Sequence, residues 1–148
     1  MARKTITPKT TARKPKADAA CPCGRGLPYS ECCGPAHEGH APATAEALMR
    51  SRYSAFALDD DEYVLSSWHP DTRPAEVEPD SHLRWVGLDI IESTGGGLFD
   101  AEGVVEFRAH YRDHGKHGDL VERSRFVRHG GQWVYWGPIL TDGSLANI

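Results

Sequence analysis

The sequence predicts an α+β fold, in which a cysteine-bearing knuckle precedes two helices and an antiparallel sheet of about four strands. Three observations predict it. All four cysteines fall within residues 21–33. Apolar residues recur at helical spacing between residues 41 and 68, and from His82 onward the period changes to alternation broken by glycine-bearing loops. With 148 residues, 39% of them apolar, the chain can build one compact domain plus a small attachment.

Residues 1–20 form the first segment. They hold six basic residues (Arg3, Lys4, Lys9, Arg13, Lys14 and Lys16) against Asp18 alone, a balance of +5; the 11 basic and 20 acidic residues that follow give -9. Ile6 is the one large apolar residue there besides Met1. Such a segment cannot offset its ordering entropy by burial, so it reads as a disordered, solvating tail. RNA contact through the tail is the sharper alternative, and the acidic body argues against nucleic acid as the main ligand. The start of the chain lacks the apolar stretch of a secretory leader, and no apolar run approaches the roughly 20 residues of a membrane span. This reading places the protein in the cytoplasm.

The cysteines come next, as Cys21-Pro22-Cys23 and Cys32-Cys33 in a C-x-C-x8-C-C pattern. Disulfides of small secreted domains tie distant segments together; four thiols in 13 residues of a cytoplasmic chain instead suit one metal ion. Zinc takes four tetrahedral ligands, and a closed thiolate shell makes it structural rather than catalytic. Gly24 and Gly26 let the backbone turn close to the ion, and Arg25 can soften the charge of a four-thiolate site. The competing reading is a redox or free-thiol cluster. His37 and His40 stand close behind, either as substitute ligands or as solvated loop residues. Residues 21–40 therefore form the expected metal-binding unit and residues 41–148 the α+β domain.

Thr44 is a natural N-cap for a helix from Ala45 to about Leu58, with Glu46 in its first turn. The acidic run Asp59-Asp60-Asp61-Glu62 opens a second helix through Trp68, which Pro70 helps to end. Residues 71–81 are a polar, proline-punctuated connection. The expected strands are Leu83–Ser93, Gly103–Arg112, Leu120–His129 and Gln132–Leu140. Val105, Phe107, Ala109 and Tyr111 share one face of the second strand, so one side of the sheet is packed. Gly130-Gly131 predicts a two-residue hairpin that pairs Arg128 with Trp133, Phe126 with Tyr135, Ser124 with Gly137, and Arg125 with Trp136. Both arginines then face an indole, a cation-π arrangement.

Charged and hydrogen-bonding residues that interrupt these apolar segments mark a candidate pocket: Arg50, Arg52, Tyr53, Trp68, His69, Glu122, Arg123 and Arg125. Arg50 and Tyr53 are three apart and share a helix face, while Arg52 points elsewhere. A buried arginine needs a carboxylate, and Glu122 is the natural partner of Arg50. That pairing reads either as a salt bridge pinning helix to sheet or as part of a ligand site in which Glu122, Tyr53 or His69 does acid-base work. No Ser-His-Asp order, phosphate-cradling glycine loop or paired-carboxylate motif is visible, and Gly95-Gly96-Gly97 reads as a turn. The residues thus favour a non-enzymatic role.

The segment CPCGRGLPYSECCG resembles the SEC-C motif, the zinc-binding tail module of the SecA preprotein translocase, with Cys33 standing where that protein has histidine. AEALMRSRYSAFAL, SWHPDTRP, ERSRF and WVYWGP resemble the bacterial YchJ-like family. The resemblance implies a SEC-C module with zinc on Cys21, Cys23, Cys32 and Cys33. It also implies a cone-like domain similar to nuclear transport factor two, a curved sheet wrapped around helices whose mouth can hold a small ligand. On this basis the knuckle is expected to dock on a protein or ribonucleoprotein while the α+β domain supplies a second surface. A small-molecule binder or enzyme using the pocket is the alternative.

Overall fold

The computed structural model describes residues 13–78 and 82–140. Most of the segment expected as a disordered tail, residues 1–12, lies outside them. Its last part does not stand apart from the fold. Arg13 donates through its backbone to Leu58 O (2.9 Å) and through its guanidinium to Ala57 O, and it pairs with Asp59 at 3.4 Å. Ala17 and Ala19 accept backbone hydrogen bonds from Ser30 and Tyr29.

Three α-helices follow one 3₁₀ turn, Tyr29–Glu31: α1 (Gly34–His37), α2 (Ala45–Ala57) and α3 (Asp61–Ser66). The sequence reading expected two. Gly34-Pro35 looks like a loop signal, yet proline at the start of a helix loses no hydrogen bond and presets φ, so a single turn forms there. Thr44 caps α2 by accepting from Ala47 N (3.1 Å), and Asp60 caps α3 by accepting from Tyr63 N.

Four strands, β1 (Leu83–Gly95), β2 (Glu102–Asp113), β3 (Lys116–His129) and β4 (Gln132–Pro138), pair antiparallel in chain order. The expected cone-like, curled sheet is not what forms. Consecutive hairpins lay the strands side by side, which puts β1 and β4 at opposite edges, and among the described residues these edges do not meet. The sheet is open. The Gly130-Gly131 hairpin pairs Arg128 with Trp133 and Phe126 with Tyr135 as expected, but a bulge beyond Phe126 then sets Arg125 opposite Gly137 and Ser124 opposite Pro138.

Helix α2 lies on one face of this sheet. Leu48, Met49 and Tyr53 pack with Val105, Phe107, Ala109, Phe126, Trp133 and Tyr135, and Cys21, Cys23 and Cys33 belong to the same cluster. Each large side chain fully buried there contributes about 1.5 to 3 kcal/mol. Trp133 Nε1 donates to Ala43 O at 3.2 Å and Ala45 N to Gly96 O at 2.9 Å, which fix the start of α2 against β4 and the β1–β2 loop. No helix among the described residues is long and apolar enough to cross a membrane.

Candidate metal centre and adjoining cavity

The knuckle is built by backbone hydrogen bonds. Cys21 N donates to Leu27 O (3.0 Å) and Gly24 N to Cys21 O (3.1 Å), closing a loop in which Gly24 and Gly26 take φ of 78° and 94°, a region that favours glycine. The 3₁₀ turn then carries the chain back and delivers Cys32 and Cys33. At Gly34 a Cβ would sit 2.7 Å from Tyr29 O, so this return is closed to any larger residue. The result is a cluster in which the sulfurs of Cys21, Cys23, Cys32 and Cys33 all lie within 4.8 Å of one another, with Cys23 and Cys32 at 3.5 Å and none in a disulfide. Cys21, Cys23 and Cys33 are buried and Cys32 is half-buried. Four soft donors at this spacing fit a single metal ion.

Helix α2 supplies the shell around the sulfurs. Ser54 Oγ donates to Cys33 Sγ (3.3 Å) and lies 3.6 Å from Cys21 Sγ. Arg50 Nη1 reaches Cys23 O at 3.2 Å and Cys23 Sγ at 3.9 Å, while its Nε is held by Glu46 Oε2 at 3.1 Å. Burial works against the Arg50 cation, but Glu46 and Cys23 outweigh it and raise its pKa. The thiols have divergent proton affinities. Hydrogen bonds with Cys23 and Cys33 hold Cys21 far below the usual thiol range, and the bond with Cys21 pushes Cys33 far above it. Burial, reinforced by Cys23, pushes Cys32 up to about 12. A cation among them would let all four carry charge.

His37 is committed elsewhere. Its Nε2 donates to Ser51 O (2.8 Å), its Nδ1 accepts from Tyr29 OH (2.7 Å), and its ring packs 4.7 Å from that of Tyr63. Burial pushes the Tyr29 phenol up to about 12, so it keeps the proton it gives to His37. His37 therefore ties the knuckle to α2 and α3. His40 is exposed, with Nδ1 3.2 Å from Pro35 O.

A cavity of about 310 Å³ opens between α2, Trp68 at the end of α3, and the sheet. Tyr53, Trp68 and Glu122 come together along it; Arg50 does not, being engaged at the knuckle. Arg52 occupies the place the sequence reading gave to Arg50. It is buried, and its Nη1 donates to Val64 O and Ser67 Oγ, both at 2.7 Å. Its guanidinium lies 4.4 Å from the Tyr135 ring centroid and 5.0 Å from that of Trp68. Burial pulls its pKa down to about 10. Glu122 accepts from Ser124 Oγ (2.6 Å) and Tyr135 OH (2.9 Å). Burial and that carboxylate push the Tyr135 phenol up, and burial pushes Tyr53 up to about 12. Trp68 Nε1 is buried without a hydrogen-bond partner.

The remaining expected pocket residues lie elsewhere. His69 packs 4.8 Å from His129 and from Trp136, and its Nδ1 accepts from Asp71 N. Arg123 pairs with Glu106 at 3.9 Å on the sheet face opposite Glu122. Arg125 pairs with Glu102 at 2.9 Å and lies 6.0 Å from the Trp136 ring. The sequence reading included Arg52 in the candidate group but pointed it away from the pocket it lines, and it missed Ser54. The signal for the facing of Arg52 was its place in the i, i+4 series Leu48, Arg52, Phe56.

Comparison with known proteins adds a lineage to this geometry. Residues 44–138 match the family described as YchJ, middle NTF2-like domain, and residues 19–35 match the SEC-C motif. A UPF0225 protein from Streptomyces avermitilis is 50% identical over 134 residues, 90% of this chain and 92% of that one. A UPF0225 protein from Streptomyces coelicolor is 53% identical over 116 residues, 78% and 90% of the two chains. Among solved structures, a SEC-C motif containing protein from Rhodopseudomonas palustris superposes with a TM-score of 0.70 at 32% identity, covering 81% of this chain and 97% of that one. One from Psychrobacter arcticus gives 0.64 at 25% identity, with 89% and 86% covered.

Proposed function

The chain belongs to the UPF0225, YchJ-like family with a SEC-C motif, and from that premise we propose that it is a cytoplasmic zinc protein whose knuckle docks on a protein partner. Zinc held by four sulfurs at about 2.3 Å requires sulfurs about 3.8 Å apart. The cluster of Cys21, Cys23, Cys32 and Cys33 is drawn to within reach of that spacing. Four sulfurs fill the tetrahedron and leave no position for substrate, so the ion's work is structural: it holds the loop 24–27 in one shape. The reducing cytoplasm keeps those thiols available.

The observation that carries the docking reading is what the knuckle presents. Residues 24–27 are exposed and bring Arg25 and Leu27 to the surface over the cluster. A second apolar feature stands in the β1–β2 loop, where Phe99 is 99% and Leu98 63% exposed. That loop is gripped by Arg128, which donates to the carbonyls of Gly97, Leu98 and Asp100. Exposed apolar side chains on a loop whose backbone is braced suit a protein partner better than RNA, as does the acidic body. Affinity capture with the intact protein should recover a partner that is lost with Cys32→Ser/Cys33→Ser and weakened by Leu27→Ala or Phe99→Ala. Equal recovery by all four proteins contradicts the docking reading, and recovery abolished by ribonuclease reassigns the partner to a ribonucleoprotein.

The cavity supports a second reading, a small-molecule site. Its volume of about 310 Å³ lies at the lower end of the range for ligand pockets, and the unpartnered Trp68 Nε1 offers a donor to a ligand oxygen. Tyr53 and Glu122 would then provide the polar contacts. Screening for quenching of tryptophan fluorescence tests this, with Trp68→Phe as the variant that should abolish the response.

A further inference from the structure

We propose that the outer face of the sheet carries a second metal site, an open one for a divalent first-row transition ion, formed by His110, His117 and Asp119. The three side chains come from β2 and β3, and the donor atoms all lie within 4.8 Å of one another. His110 Nδ1 is 2.7 Å and His117 Nε2 3.0 Å from the same oxygen, Asp119 Oδ1. Two imidazole nitrogens and a carboxylate are the donor set of open transition-metal sites. Bonds of about 2.0 to 2.1 Å put tetrahedral ligand atoms about 3.4 Å apart, so the two nitrogens need to move from the oxygen by only about half an ångström.

The surroundings are those of a ligand set rather than of a chance ion pair. With Nδ1 on the ion, Nε2 of His110 donates to Asp89 Oδ2 at 2.8 Å, which fixes the ring and raises its donor strength. Asp119 Oδ2 accepts from Arg108 Nη1 at 3.3 Å, leaving Oδ1 for the ion. Gly87 stands opposite His110 in β1, where a Cβ would come within 3.3 Å of His110 Cδ2, so β1 leaves room for the ring. His110 is on the sheet face opposite its neighbour Ala109, which packs in the core with the cysteines. His117 and Asp119 are partly open to solvent, so water completes the coordination sphere. The site shares no residue with the cysteine cluster, and its fate is independent of the docking reading.

The test is calorimetric titration of Zn²⁺ into protein already loaded at the cysteines, as shown by thiols protected from alkylation. The expected result is one further equivalent, lost in His117→Ala and weakened about tenfold to a hundredfold in Asp89→Asn. His117 is exposed, and thermal unfolding matching that of the parent verifies that its replacement leaves the fold intact. Asp119→Asn, nearly isosteric, is the second variant and should lose the equivalent as well. No further equivalent in the parent protein, or the same equivalent in both variants, overturns the proposal.

Discussion

Replacing Arg52 separates the contribution of its charge from that of its stem. Its two hydrogen bonds to Val64 O and Ser67 Oγ are charge-assisted, worth about 1.5 to 3 kcal/mol each, or about 3 to 6 together. Against them stands the cost of burying the cation. The pKa pulled from 12.5 to about 10 corresponds to a cost on the order of 3 kcal/mol at about 1.4 kcal/mol per unit. The head group's net contribution is therefore about 0 to 3 kcal/mol. Arg52→Met keeps an unbranched stem between Phe56, Trp68 and Tyr135 and should cost no more than that. Arg52→Ala also removes the stem and enlarges the cavity, adding about 2 kcal/mol or more. Urea unfolding of the zinc-loaded proteins measures both. An alanine variant as stable as the parent, or a methionine variant less stable than the alanine one, refutes this account of the buried arginine.

Two further predictions concern the knuckle. Gly34→Ala forces a Cβ against the Tyr29 carbonyl, so the turn that delivers Cys32 and Cys33 must move; competition with a chromophoric chelator should show weaker zinc binding, and unchanged affinity would show that the return is not tight. Arg50→Met removes the contacts to Cys23 O and Sγ and should weaken zinc about tenfold to a hundredfold in the same assay, with little effect on the helical circular dichroism.

The parts of the fold set by local chemistry were legible in the sequence. Thr44 caps α2, the Asp run opens α3, and Gly130-Gly131 turns β3 into β4 because each acts through its own backbone or its neighbours. What escaped reading depends on partners distant in the chain. The bulge beyond Phe126 shifts Arg125 and Ser124 by one place on β4. Strand β3 begins at Lys116 because the turn needs only His114 and Gly115, both at positive φ, where the expected strand began at Leu120. The open sheet follows from which edges meet, which alternation along a strand does not encode. The cysteines announced their cluster by spacing alone; Ser54 and Arg50, which surround it, lie on a helix whose facing is set by the sheet beneath.

The central claim is that Cys21, Cys23, Cys32 and Cys33 hold one zinc ion and that the ion shapes the knuckle. After exhaustive dialysis against metal-free buffer, native mass spectrometry should find one zinc per chain, with all four thiols resisting alkylation until a strong chelator is added. A protein with no stoichiometric metal and four freely alkylated thiols would contradict the account.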